Sequence, residues 1–289
     1  MAATPTLALD AQAILGECPR WHPQEQRLYW VDIEARELHR FDPVTGADDA
    51  RTLPEVCGCF AFCRSGGLLL AIENGFATMS DWDAPLVPFG DAPLEGKPDL
   101  RFNDGRTDCA GNFWAGSVNF AKSASDAALY RLNPHGECTE IEGGMLTSNG
   151  AAFSADGGRF MHTDTPSHTL RAYDVVGGEL VNMRPFHAFP HGKGRPDGGS
   201  FDEAGFYWSA LFDGGKLVRL SPDGEIVQEI ELPVSRPTMI AFGGADRCTA
   251  YVTSARKGLD ETVLKREPHA GGIFSFRVDV PGVAEHPFG

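Results

Sequence analysis

The sequence predicts an all-β fold, a six-bladed β-propeller, and three observations carry that prediction. Six segments share one design: a turn rich in Gly, Asp or Ser, then a short apolar and aromatic run, usually followed by a second strand and a tight turn. The runs recur at a blade-like spacing. With Trp30, Leu70, Trp114, Met161, Trp208 and Tyr251 as anchors, the intervals are 40, 44, 47, 47 and 43 residues, within the ~40–50 expected of propeller blades. The third observation is negative: no long amphipathic helix interrupts the series.

The first three runs are Gln26-Arg27-Leu28-Tyr29-Trp30-Val31, Gly67-Leu68-Leu69-Leu70-Ala71 and Gly111-Asn112-Phe113-Trp114-Ala115. Gly158-Arg159-Phe160-Met161-His162, Gly205-Phe206-Tyr207-Trp208-Ser209 and Cys248-Thr249-Ala250-Tyr251-Val252 are the others. After the anchors, alternation and a hairpin signal return, as in Leu38-His39-Arg40-Phe41-Asp42-Pro43-Val44-Thr45-Gly46, Leu129 to Gly136 and Leu217 to Gly224, so the units are β-meanders. A ring must close. Residues 6–13 are the candidate strand for completing the last blade and covering its edge, which makes 1–289 one domain.

Lys and Arg number 25 against 40 Asp and Glu, a formal net charge of −15, which repels polyanions and excludes nucleic acid or an anionic membrane as the expected partner. The opening residues lack a basic flank, and Asp10 and Gln12 interrupt their apolar character. No later run approaches the ~20 apolar residues needed to span a bilayer. A cytoplasmic protein acting on a small molecule is the expectation. Cys57, Cys59 and Cys63 lack the second Cys-x-x-Cys half of a zinc site and read as small buried apolar residues.

The repeat phase points to one site. Counting back 11 to 13 positions from the anchors reaches Glu17, Arg101 and Asn103, Asn149 and Asp197. In a closed ring, equivalent positions lie on a circle about the axis, so these polar side chains converge on the central channel. Blades two and six hold Cys57 to Cys59 and Pro237 to Thr238 there, which makes the site one-sided. Glu17, Asn149 and Asp197 supply two carboxylates and an amide oxygen, a set suited to a hard divalent cation with open coordination positions. His187 and His191 lie in a Pro/Gly-rich stretch and read as a surface loop; Gly192 to Gly199 lacks the ending of a phosphate loop. Neither a Gly-x-Ser-x-Gly elbow nor a His-Glu-x-x-His helix is present.

The segments Leu15-Gly16-Glu17-Cys18-Pro19-Arg20-Trp21, Arg101-Phe102-Asn103-Asp104-Gly105-Arg106, Thr147-Ser148-Asn149-Gly150 and Arg195-Pro196-Asp197-Gly198-Gly199 together resemble the gluconolactonase and regucalcin (senescence marker protein) family. The resemblance runs from Leu15 to the C-terminal region. It implies a sugar-lactone hydrolase with one divalent ion (Ca, Mg, Mn, Fe or Zn) held by Glu17, Asn149 and Asp197. Arg101, Asn103 and Asn119 would contact the lactone, and Asp197, with Asp104 nearby, would handle the proton of the attacking water. Asn119 stands where relatives often have an acidic contact, and Cys18 where many have Ser or Gly. Two other activities share these residues: a promiscuous metal-dependent esterase or phosphotriesterase, and a non-catalytic Ca²⁺-binding propeller.

Overall fold

A computed structural model describes residues 4–289 and shows six four-stranded antiparallel sheets arranged as a β-propeller. Five sheets are simple meanders of consecutive strands. The sixth is composite: Pro237–Gly243, Thr249–Ser254 and Ile273–Arg277 are completed by Thr6–Leu9, which pairs antiparallel with Ile273–Arg277. That pairing satisfies backbone groups that would otherwise line an open edge.

All six anchors fall on the second strand of their blades, which are Arg27–Asp32, Leu68–Ile72, Phe113–Asn119, Arg159–Asp164, Tyr207–Phe212 and Thr249–Ser254. The rings of Trp114, Trp208 and Tyr251 fill wedges between neighbouring blades. Trp114 lies 5.7 Å from Phe153 and 5.6 Å from Phe160 of the next blade, and Trp208 lies 6.0 Å from Phe242. Across the closure, Trp21 stacks on Tyr251 at 5.6 Å. Such rings contribute most of the burial energy of a wedge, but each buried indole N–H needs an acceptor. Asp108 accepts from Trp114 Nε1 at 2.8 Å and Asp202 from Trp208 Nε1 at 3.1 Å. Both aspartates come from the turn just before the anchor, which explains the Asp-rich turns of the repeat.

The innermost strands, Gly16–His22, Cys57–Phe62, Leu100–Thr107, Ser148–Phe153, Arg195–Phe201 and Pro237–Gly243, are almost entirely buried. They approach one another so closely that side chains must be small in places: a Cβ on Gly58 would stand 2.2 Å from Phe102 O of the neighbouring blade. Cys57 and Cys59 are buried in the second blade, and all seven cysteines are free. The single α-helix among the described residues, Glu261–Arg266, sits in the sixth blade's loop and is capped by Asp260, whose Oδ1 accepts from Thr262 N and Val263 N. Among the described residues no helix is long and apolar enough to cross a membrane.

Candidate functional site

Each innermost strand breaks register with its neighbour at the same level. The shifts fall between Glu17 and Arg20, Cys57 and Cys59, Phe102 and Gly105, Asn149 and Ala152, Pro196 and Gly199, and Pro237 and Met239. A bulge re-aims the side chains beside it. Asn103, Asp104 and Asp197 lie inside these shifts, while Glu17 and Asn149 border them. The backbone conformations fit: Cys18 has φ 48 and Gly150 φ 70, left-handed values that favour glycine at the second position. A periodic reading of strands places the polar residues at the channel; the bulges turn them into it.

A hydrogen-bonded relay crosses three blades. Arg101 Nη1 donates to Asn103 Oδ1 at 3.0 Å and to Phe102 O at 2.8 Å. Asn103 Nδ2 donates to Asn149 Oδ1 at 2.6 Å and to Ser148 O at 3.1 Å. Asn149 Nδ2 donates to Thr165 Oγ1 at 2.8 Å, and Thr165 in turn donates to Pro196 O at 2.9 Å, one residue before Asp197. Thr165 therefore fixes which end of the Asn149 amide is nitrogen. The oxygen accepts one bond and retains a second lone pair.

The two carboxylates are differently served. Glu17 and Asp197 are 7% and 6% exposed. Glu17 Oε2 accepts from Cys18 N at 3.3 Å, and Asp197 is held by the Gly198 amide. Neither forms an ion pair among the described residues. Burial, then the charges of Asp197 and Asp104, holds the Glu17 carboxyl well above the usual carboxylate range; Arg101 acts in the opposite direction. Burial, then Asp104, raises Asp197 likewise, with Arg195 and Lys122 opposing. Two buried, mutually repelling carboxylates beside an oriented amide oxygen fit a divalent cation, which would relieve both the desolvation and the repulsion. Among the described residues no three His, Cys, Asp or Glu side chains gather as a metal centre; the third oxygen of this set is an amide.

Of the residues singled out in the sequence, Arg101, Asn103 and Asn149 are joined by these hydrogen bonds, Asp197 follows the Pro196 carbonyl on which the relay ends, and Glu17 is close enough to feel the charges of Asp197 and Arg101. Asn119 is not part of this set. It is fully buried, its Nδ2 donates to Asp126 Oδ1 at 2.8 Å, and its Oδ1 accepts from Ser123 N at 3.3 Å, so its amide ties down its own loop. Asp104 also has its oxygens occupied, accepting from Gly105 N at 2.7 Å and Ala151 N at 2.9 Å. In blade six the Thr238 hydroxyl lies 2.6 Å from Gly16 O and 2.8 Å from Thr253 Oγ1, leaving that side of the channel without a carboxylate. His187, expected in a loop, instead lies on the strand Glu179–Ala188 opposite Leu170, with Nδ1 2.8 Å from Gly224 O, while His191 in the following turn packs its ring at 4.1 Å on His168, so the two are not a ligand pair. Thr165 escaped notice in the sequence because it lies outside the repeat phase, in a short turn after the second strand of blade four.

Arg101 links the relay to a cavity of about 350 Å³ lined also by Glu34, Arg36, Glu73, Phe120 and Lys257. A larger cavity of about 470 Å³ lies at the far ends of the innermost strands, against Trp21, Phe62 and Phe242, and contains none of the relay residues. Chemistry directs attention to the smaller one.

Residues 15–256 match the family described as SMP-30/Gluconolactonase/LRE-like region. The chain is 42% identical to 6-deoxy-6-sulfogluconolactonase of Pseudomonas putida over 278 residues, covering 96% of this chain and 95% of the relative. It is 35% identical to pentonolactonase XacC of Haloferax volcanii, covering 99% and 97%. A solved structure of a calcium-binding protein, regucalcin, from Agrobacterium tumefaciens superposes with a TM-score of 0.93 at 25% identity, covering 100% of this chain and 97% of that one.

Proposed function

The chain belongs to the SMP-30/gluconolactonase/LRE-like family, and from that premise we propose that it opens a sugar lactone to the aldonic acid with one divalent ion held by Glu17, Asn149 and Asp197. The observation that carries this reading is the buried, unpaired Glu17 and Asp197 pair beside an Asn149 oxygen oriented by Thr165. A divalent ion bound there supplies Lewis acidity and makes water a better nucleophile near neutral pH. Sugar-lactone hydrolysis is the activity named for the relatives from Pseudomonas putida and Haloferax volcanii.

The chain's own groups account for the rest. Water adds to the lactone carbonyl, the ring C–O bond breaks, and one proton passes from the water to the departing ring oxygen. Asp197 is the group we assign to carry that proton, because its carboxylate is buried, free of any ion pair among the described residues, and would lie beside the ion and the attacking water. Asp104 is a fixed charge beneath the site, both its oxygens being engaged by main-chain amides. Arg101, at the cavity wall, orients the lactone and stabilises the developing oxyanion, while Asn103 positions the Asn149 amide and meets the substrate from the same blade. Asn119 acts on the substrate through its loop, holding the neighbouring Phe120 at the cavity wall. Arg36, Arg101 and Lys257 line the cavity alongside Glu34 and Glu73, a mixed polar wall suited to hydroxyls and to the carboxylate of the product.

The test is proton release from a panel of pentono- and hexonolactones, a 6-sulfonated lactone included, by chelator-stripped protein with single divalent ions restored. Ion-dependent turnover that Asp197→Ala abolishes is the expected result. Full turnover and full ion affinity in Asp197→Ala would remove the assignment. Tight Ca²⁺ binding with no turnover of any lactone would favour a binding protein, as the Agrobacterium tumefaciens neighbour is described.

A further inference from the structure

Beneath the ligand level lies a second charged layer, closed by the segment that follows the last blade. Gly282 N donates to Arg247 O, Val283 N to Phe201 O, Phe288 N to Phe62 O and Gly289 N to Gly111 O, at 2.8–3.1 Å. The segment thus crosses the floor of the channel and is pinned to four blades. Between these anchors Glu285 turns inward. Its Oε1 contacts Arg106 Nη1 and stands 3.6 Å from Arg20 Nη1, two guanidiniums that are 6% and 2% exposed.

What the guanidiniums hold is the informative part. Arg20 Nη2 donates to Gly105 O; Arg106 Nε donates to Ala151 O at 3.3 Å and its Nη2 to Gly199 O at 2.8 Å. Gly105, Ala151 and Gly199 each lie two residues after a site residue, namely Asn103, Asn149 and Asp197, and Arg20 lies three after Glu17. The blades of Asn103, Asn149 and Asp197 are therefore gripped, on the far side of their bulges, by one of two arginines, the blade of Glu17 supplies one of those arginines, and both share one carboxylate. Arg20 and Arg106 balance Asp104 and Glu285 in charge. Removal of Glu285 leaves a buried net positive charge under the cation site and frees both guanidiniums to shift, the costly half of breaking a buried pair.

We propose that Glu285 is a positioning residue for the ion site: through Arg20 and Arg106 it sets the spacing and the electrostatic environment of Glu17, Asn149 and Asp197. The proposal rests on the metal-site reading above. It is tested by calorimetric titration of Mn²⁺ and Ca²⁺ into the chelator-stripped full chain, with thermal unfolding measured in parallel. In Glu285→Gln, ion binding should weaken about tenfold, a change equal to ~1.4 kcal/mol, with kcat at saturating ion within about twofold of wild type. Glu285→Asp, which keeps the charge, should fall between. A Glu285→Gln protein that unfolds at lower temperature but binds ions as tightly as wild type would overturn the proposal, since a merely structural strap predicts that outcome. Should Glu285→Gln not fold, Phe288→Ala loosens the segment while leaving Glu285 intact; weakened ion binding there supports the proposal and unchanged binding refutes it. If the wild-type protein binds no ion, the metal reading fails, and the proposal with it.

Discussion

Acidification should destabilise this protein through one buried histidine, and the size of the effect follows from its surroundings. His162 is fully buried on the second strand of blade four, with Nε2 2.6 Å from Ser148 Oγ and its ring near Phe160. Burial, reinforced by the Arg171 charge, pushes its pKa down to about 3 from an ordinary 6.5. Because the folded value is depressed, the unfolded chain takes up the extra proton first. The stabilisation is complete above the ordinary value and is lost as pH falls from there toward the folded one. At ~1.4 kcal/mol per unit, moving from pH 7 to about pH 4.5 crosses about two units and costs roughly 3 kcal/mol, a sizeable share of the ~5–15 kcal/mol typical of a domain. Urea unfolding of chelator-treated protein at both pH values measures it, with His162→Gln as the control that cannot protonate. The difference in stability between the two proteins should change by about that amount; an identical pH dependence in both would show that His162 titrates normally or stays unprotonated in the unfolded state.

Three further outcomes follow from the site. A divalent ion at about 100 times its Kd should stabilise the wild type by about 2.7 kcal/mol; Glu17→Gln should lose most of that response in thermal melts yet match or exceed wild type in chelator, because one of two repelling buried charges is gone. Thr165→Val leaves Asn149 Nδ2 without its acceptor and Pro196 O without its donor, which should cost about 1–3 kcal/mol in urea titrations and weaken ion binding; unchanged values for both would show that Asn149 is oriented without Thr165. Gly58→Ala drives a methyl group against Phe102 O, one residue from Asn103, and should cost ~1–3 kcal/mol while lowering kcat/KM for the lactone.

The blades were legible in the sequence because a large buried apolar side chain recurs once per blade, aromatic at Trp30, Trp114, Trp208 and Tyr251 and aliphatic or thioether at Leu70 and Met161, at a spacing set by four strands and their turns. Glu17, Asn149 and Asp197 were legible because a polar residue at one phase of that repeat has nowhere to point but the axis. What stayed hidden depends on cross-strand register and on distant partners. The bulges arise from pairing between strands and leave no local pattern. The Asn119 amide is spent on Asp126, seven residues downstream, so a residue singled out by resemblance alone, outside the repeat phase, is held by its own loop. Glu285 lies outside the repeat altogether, and only the path of residues 281–289 across the channel floor brings it to Arg20 and Arg106.

The pairing of Thr6–Leu9 with Ile273–Arg277 also constrains the birth of the molecule. During synthesis the earliest strand leaves the ribosome long before its partner exists, and it must wait unpaired while five blades accumulate beside it. Until then the nascent chain is an open stack with a bare edge at each end, the condition under which neighbouring copies pair with one another. Long-range closure of this kind is slow to find. Rejoining the chain ends and opening the ring between two blades would make the last strand pairing a local one, and such a permutant should refold faster than the parent without any change in the site.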